Sequence, residues 1–373
     1  MDFFSRFRRV TSTGRFLPFI DALRFLAIVP VLLTHIFSFI VLKKNYTQSS
    51  ISSWWWIPIK NGGNGVQLFF AISGFILALP FISYYLGISD KQVSLKKYFL
   101  RRITRLEPPY IISMVFFFVL LVVTHKYTFD VLFPHLIASL LYVHNIVYGK
   151  GSDINTVAWS LEVEVQFYIL APLLFIVFKR KQLTRRLIIL FLIILFASLN
   201  SFFNIYYRSL PGQFQFFLIG VLAADFFVSQ KNDGFLSKFN HPLIFAICLV
   251  LLFFIKYNSG FTYQILFLLT LFTLFLCSVT PLVRNRFLKN NVVTFFGGMC
   301  YSIYLIHYPL ISFIGNKLLA KITADSFTKQ FLLYFIIIVP IILMCSVGFY
   351  LLFERPFMDK NWYKKIIFFK HKN

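Results

Sequence analysis

Arg24 and His35 are the first residues that could do chemistry, and both lie inside one apolar run, 17–41, reading LPFIDALRFLAIVPVLLTHIFSFIV. Such a run crosses a bilayer as a helix, which takes about 20 mostly apolar residues. Eleven positions at about 100° each bring the two side chains within about 20° of one another, about 16 Å apart along one face. An Arg and a His on one stripe of a spanning helix are costly to keep from water and mark a site by default. An imidazole there can take a proton from a hydroxyl near neutral pH. Singly, Arg24 would serve as a side chain snorkelling to headgroups and His35 as a satisfied core residue. The pairing on one face argues for a site.

Three further stretches carry polar groups in apolar surroundings. In WSLEVEVQFYILAP (159–172), Ser160, Glu164 and Tyr168 recur every fourth residue on one helix face. Glu162 and Gln166 form a second stripe about 160° away, so periodicity alone does not choose between the glutamates. A span entering from outside puts Glu164 about 10 Å below its outer end, and His35 lies about 9 Å short of the outer end of its own. Equal depth would let the carboxylate orient the imidazole; an ion pair with a basic neighbour is the structural alternative. In GGMCYSIYLIHYPL (297–310), Cys300, Tyr304 and His307 share one face, as a cavity lining or a packing stripe. In KKYFLRRITRLEPPY (96–110), Arg102 and Arg105 are three apart and suit a multiply charged phosphate ligand, though inner-leaflet anchoring would explain them in isolation. Ala71, Ser73 and Gly74 in FFAISGF (69–75) allow close helix approach. The sequence holds no GxSxG elbow, metal-ligand cluster or Gly-rich nucleotide loop.

The elements that must position these groups are membrane helices. The chain has 373 residues, 58% of them hydrophobic and 13% charged, with 51 Phe. That composition excludes an ordinary soluble domain and indicates an all-α, polytopic transmembrane bundle of about ten spans. The spans fall near 17–41, 65–86, 108–124, 157–178, 187–203, 213–229, 243–257, 261–283, 292–316 and 330–353. The broken stretch 131–148 reads as a re-entrant or interfacial segment. Net charge is +24, but the basic residues sit in short clusters between apolar runs, without a nucleic-acid-reading motif, so nucleic acid is set aside. Of 37 Lys and Arg, 26 fall in loops on the side of the N-terminus and 10 on the other, Arg24 being inside a span. Both termini are therefore expected in the cytoplasm, with the chain multi-pass in the cell inner membrane. The first run is too long for a signal-peptide core and lacks a small-residue cleavage site, so it is expected to be retained. One domain covers 1–373, with basic tails 1–16 and 354–373. The four cysteines lie in apolar runs and read as packing residues, not a disulfide framework. SSWWWIPIK (52–60) reads first as an interfacial aromatic belt.

Together, Arg24-x10-His35, GVQLFFAISGF, RRITRLEPPY, WSLEVEVQFYILAP, YSIYLIHYPL and the closing ERPF resemble the signature set of acyltransferase family 3. These are bacterial integral-membrane enzymes that O-acylate sugars, and the motifs run in family order over 21–357, nearly the whole chain. The resemblance implies a ten-helix bundle passing an acyl group, usually acetyl, from cytoplasmic acyl-CoA to a hydroxyl of a glycan or glycolipid. It implies that His35 is essential, that Arg24 accompanies it, and that Arg102 and Arg105 meet CoA. It also selects Glu164 over Glu162. Ser73, Trp159, Ser160, Tyr168, Tyr304 and His307 are then the candidates for substrate contact. Acyl-CoA is a co-substrate, and no bound cofactor or metal is expected. The expected partners are the bilayer, acyl-CoA, the acceptor, and other glycan-biosynthesis proteins or a second copy of the chain. Some members carry an extra C-terminal hydrolase-like domain; this chain ends without one, so a later outward transfer step is expected to need another protein. Glu107 before Pro108 and Cys300 before Tyr301 depart from the usual pattern. Two alternatives stay open on the residues alone: a transient acyl-His35, and a glycolipid or anion carrier using Arg24, Glu164 and His307 as relay charges.

Overall fold

The computed structural model describes residues 17–47, 51–229, 234–286, 288–322, 324–359 and 362. Lipid offers the backbone no hydrogen-bond partners, so even runs rich in β-branched residues and Phe coil into helices. The described residues contain no strand. In chain order the principal helices are α1 (Pro18–Lys44), α2 (Gly65–Tyr85), α3 (Leu95–Val123), α4 (Phe129–Leu140), α5 (Trp159–Leu174) and α6 (Gln182–Phe203). They continue as α7 (Leu210–Val228), α8 (Pro242–Phe254), α9 (Phe261–Val279), α10 (Asn291–Gly298), α11 (Cys300–Lys321) and α12 (Phe327–Phe349). Among the described residues, nine helical stretches are long and apolar enough to cross a membrane. The all-α polytopic expectation stands, with one difference in count. The run near 243–257 yields α8, only 13 residues, about 20 Å long against a hydrocarbon core of about 30 Å.

α1 shows how local sequence sets an element. Pro18 starts the helix with its φ already suitable, Asp21 sits in the first turn where a negative charge is favoured, and Asn45 ends it in the left-handed conformation (φ 51°). The frame around it depends on small residues. A Cβ on Gly220 would lie 1.8 Å from the Ala71 carbonyl oxygen, and one on Gly74 would lie 2.1 Å from that of Phe217. α2 and α7 therefore cross backbone to backbone. Phe217 fills the angle beside that crossing, stacked on Phe167 of α5 at 4.0 Å and on Phe70 at 4.6 Å. Gly297 of α10 likewise admits the Asp21 carbonyl of α1. α6 is pinned to α7 by Arg185 and Arg186, whose Nε atoms donate to the two oxygens of buried Asp225 at 2.6 and 2.8 Å.

Two details differ from a belt-and-loop picture. Trp54 and Trp55 are 67% and 52% exposed as an interfacial belt would be, but Trp56 is buried against Phe37, Phe327 and Phe331. The start of α5 is also recessed into the bundle. Asn155 donates to the Leu305 carbonyl at 2.9 Å, Tyr304 donates to the Val157 carbonyl, and Val157 and Ala158 are buried. The ERPF glutamate is structural. Glu354 Oε2 accepts from Ser302 N at 3.1 Å and from Ser302 Oγ at 2.5 Å, tying the π-helical turn after α12 to α11.

Gly220→Ala should force α7 off α2 and cost about 1–3 kcal/mol. Gly63→Ala, with nothing within 4 Å of the added carbon, should leave stability unchanged. Thermal unfolding of the two purified variants in detergent checks the contrast.

Candidate active site

The α1 stripe keeps its two ionisable groups in separate settings. Arg24 donates from Nη1 to Asp21 Oδ1 at 2.7 Å, with Asp21 fully buried and the Arg24 side chain 15% exposed. His35, about three turns on, is half-buried. Its ring lies 5.2 Å from that of His307, tilted 46°, and 5.2 Å from Tyr308, nearly edge-on at 78°. Among the described residues neither of its ring nitrogens makes a hydrogen bond.

Glu164 belongs to a different part of the polar axis. Its Oε1 accepts from Ser73 Oγ of α2 and from Tyr168 OH at 2.5 Å. The Tyr168 carbonyl accepts from Tyr98 OH at 3.1 Å. Arg102 donates to the Tyr98 carbonyl at 2.7 Å and lays its guanidinium 3.7 Å above the Tyr98 ring and 5.4 Å from that of Tyr168. The Glu164 charge acts on both Arg24 and Arg102. The sequence expectation that Glu164 orients His35 is therefore corrected: the carboxylate sits with Ser73 and Tyr168, and the imidazole sits with His307 and Tyr308. The physical reason is the recessed start of α5. Counting depth from the end of that helix assumes the end lies at the interface, whereas Trp159 begins inside the protein.

The second stripe of α5 faces elsewhere. Glu162 Oε2 accepts from Asn145 N at 2.9 Å, and Gln166 donates to the Tyr142 carbonyl at 3.3 Å. Tyr304 spends its hydroxyl proton on Val157, so Ser160 must donate to Tyr304, at 3.0 Å. Trp159 meets Phe70 and Tyr207 edge to face at 6.1 and 5.7 Å. Arg24, His35, Ser73, Glu164, Tyr168, Trp159, Tyr304 and Arg102 are all half-buried, whereas Ser160 and His307 are buried.

The two arginines of α3 also part company. Arg102 is turned inward onto tyrosines; Arg105 is half-buried, and its Nε has no hydrogen-bond partner among the described residues. Sequence reasoning missed Arg208, in the link before α7. Its charge acts on His35, its Nε is buried without a partner among the described residues, and its guanidinium lies 5.1 Å from the Tyr207 ring. Burial raises the neighbouring Tyr206 hydroxyl above its ordinary value, and the Arg208 charge opposes that shift. The only signal in the sequence is a lone cation among aromatics in a short link, which a loop count absorbs. Tyr308, beside His307, was missed as well and carries no signal of its own. A cavity of about 350 Å³ lined by Phe37, Ser38, Val41, Leu42, Ile51 and Lys60 opens about one turn beyond His35 along α1.

Fold and axis define a polytopic helical membrane protein with ionisable groups held inside its spans. The model of the acyltransferase domain of acyltransferase family 3 matches residues 17–351, and the chain belongs to that family. The match covers every candidate residue above and stops short of ERPF. Among curated proteins, the chain is similar to O-acetyltransferase OatA of Staphylococcus aureus strain NCTC 8325 / PS 47. The two are 26% identical over 352 residues, which is 84% of this chain and 53% of that protein. OatA of strain MRSA252 gives the same figures, 26% over 352 residues. The chain spans about half the length of the curated relatives it matches. No solved structure matches it.

Tyr168→Phe removes a hydroxyl that donates to the Glu164 carboxylate, a bond of a kind worth about 1.5–3 kcal/mol. Its unfolding midpoint should fall, and Glu164→Gln, which retains an acceptor oxygen, should lose less stability than Glu164→Leu.

Proposed function

We propose that this chain is a multi-pass O-acyltransferase of the cell inner membrane that moves an acetyl group from acyl-CoA to a hydroxyl of a cell-surface polysaccharide or glycolipid. One observation carries the proposal: His35 is half-buried inside the bundle, with ring nitrogens that no described residue engages, in a chain of an acyltransferase family. The relatives named O-acetyltransferase support acetyl as the group and a hydroxyl as the acceptor.

The chemistry follows from the imidazole. A hydroxyl is a poor nucleophile near neutral pH, so His35 removes its proton as the oxygen attacks the thioester carbonyl. The carbon–sulfur bond breaks, the CoA thiolate takes the proton back from the imidazolium, and the products are an acetyl ester and free CoA. Arg105, with an unsatisfied Nε, suits the phosphates of a CoA thioester arriving from the cytoplasmic side. Arg102, held by Tyr98 and Tyr168, acts one layer inward as a fixed positive charge facing Glu164. Asp21 holds one side of the Arg24 guanidinium, with a smaller contribution from the Glu164 charge, and the rest of that guanidinium is left to steer the thioester carbonyl. The aromatic pair Trp159–Tyr207 suits stacking against an acceptor sugar approaching from the opposite side. The basic clusters before α1, at the α2–α3 link and between α5 and α6 support a cytoplasmic N-terminus and hence this polarity.

Two outcomes follow for the purified full chain, assayed by thiol release from acetyl-CoA in the presence of a membrane glycolipid extract. His35→Ala should lower turnover by at least about 100-fold while the protein still inserts and unfolds at the same temperature; full activity in that variant would end the proposal. Arg105→Ala should raise the KM for acetyl-CoA about tenfold with kcat nearly unchanged, the loss of one charge-assisted contact.

A further inference from the structure

His307 is fully buried on α11, yet it is not a satisfied core histidine. Its Nδ1 lies 2.9 Å from the Ile303 carbonyl oxygen and 2.9 Å from that of Tyr304. Carbonyl oxygens only accept, so Nδ1 carries the hydrogen and the lone pair of the neutral ring is fixed on Nε2. That Nε2 is buried without a hydrogen-bond partner among the described residues. The ring it belongs to lies 5.2 Å from the ring of His35, closer than the 6.3 Å that separates it from Tyr304. With ring atoms about 1.1 Å from each centroid, the facing nitrogens can come to about 3 Å, hydrogen-bond length, when the rings turn toward one another. Catalytic hydrogen bonds are often long before substrate arrives and tighten afterwards.

We propose that His307 is the positioning residue of the base: its Nε2 accepts the N–H of His35 and thereby fixes which nitrogen of His35 faces the acceptor hydroxyl. The inference rests on the acyl-transfer role of His35 given above and adds the group that orients it. A base must present a lone pair to the hydroxyl, and an imidazole does so reliably only when its other nitrogen has an acceptor for its hydrogen. In many hydrolases a carboxylate fills that place. Here a second imidazole, held in one tautomer by the carbonyls of its own helix, lies beside the ring with a buried, unpartnered acceptor nitrogen, whereas Tyr308 at the same distance presents a hydroxyl that also has its own proton to place. During the reaction the proton passes from hydroxyl to His35 and on to the leaving thiolate. His307 keeps its own Nδ1 hydrogen throughout, and its bond from His35 strengthens while His35 is charged.

The test uses the full chain labelled with ¹⁵N-histidine, seven residues in all, reconstituted in lipid bilayers and read by solid-state NMR, with His35 assigned by difference from His35→Gln. The original chain should show His35 as one neutral tautomer with a hydrogen-bonded N–H. His307→Leu should show mixed tautomers, and His307→Gln, whose amide oxygen accepts, should restore the single form. In parallel, thiol release from acetyl-CoA should fall about 10- to 100-fold in kcat for His307→Leu, with KM for acetyl-CoA within about twofold, and should recover in His307→Gln. Mixed tautomers in the original chain, or an unchanged His35 signal in His307→Leu, would overturn the proposal. If acetyl-CoA is never consumed, acyl transfer fails while the tautomer spectra still decide the pairing.

Discussion

Backbone-to-backbone contact between α2 and α7 is the constraint on which the rest of the molecule depends. Lipid tails are as apolar as the helices, so helices associate in a membrane by close packing and not by burial of apolar surface as such. Gly74 against Phe217 and Gly220 against Ala71 leave no room for a side chain between the two backbones. Phe70 and Phe167 then stack on Phe217 and fix where α5 must lie. That position puts Glu164 within reach of Ser73, one residue before Gly74. The polar axis is thus a consequence of a glycine crossing, because the same crossing that brings the backbones together delivers the serine to the carboxylate.

Charge inside the spans is handled by keeping each ion beside a partner. An isolated charge in a low-dielectric interior is several kcal/mol too expensive, whereas a paired one can be tolerated. Asp21 answers Arg24 within one helix, Asp225 answers Arg185 and Arg186 between two, and aromatic rings receive Arg102. Against that background Arg105 and Arg208 stand out. Among the described residues neither has a carboxylate within ion-pair distance, and each has a buried Nε without a partner. One lies on α3 with Arg102, and the charge of the other acts on His35.

Much of this was legible in the chain, and what was not has a physical reason. Hydrophobic run length found the helices because the bilayer imposes it. Helical spacing put Glu164 with Tyr168, because a face of one helix is a property of that helix alone, while Arg24 and His35 share a face but meet different partners. Which helix a face meets is not such a property. Ser73 could be read as a small packing residue, but its hydroxyl against Glu164 depends on the α2–α7 crossing. The depth of Glu164 failed for a related reason, since the recess of Trp159 is set by Asn155 and Tyr304 bonding across to other segments. α8 was overcounted because its apolar run continues past the residue where the helix stops at Phe254. Family motifs selected Glu164 over Glu162, and the structure gives the two different surroundings: one among bundle hydroxyls, the other holding the backbone of Asn145.

The separation of acid from base bears on the proposed reaction. A carboxylate beside an imidazole holds the proton on that ring more firmly than a neutral acceptor does. Acyl transfer from a thioester needs the proton taken from the hydroxyl and then surrendered to a departing thiolate, whose thiol has an ordinary pKa of about 8.5. A base that keeps its proton too well stalls the second half. Placing Glu164 with Ser73 and Tyr168, and leaving His35 beside His307, would give the proposed base an orienting partner without a neighbouring negative charge. The Glu164 charge reaches Arg24, which Asp21 pairs, and Arg102, which lies on the Tyr98 ring. In the proposed reaction both cations stay held inside the bundle, with Arg24 turned to the thioester carbonyl.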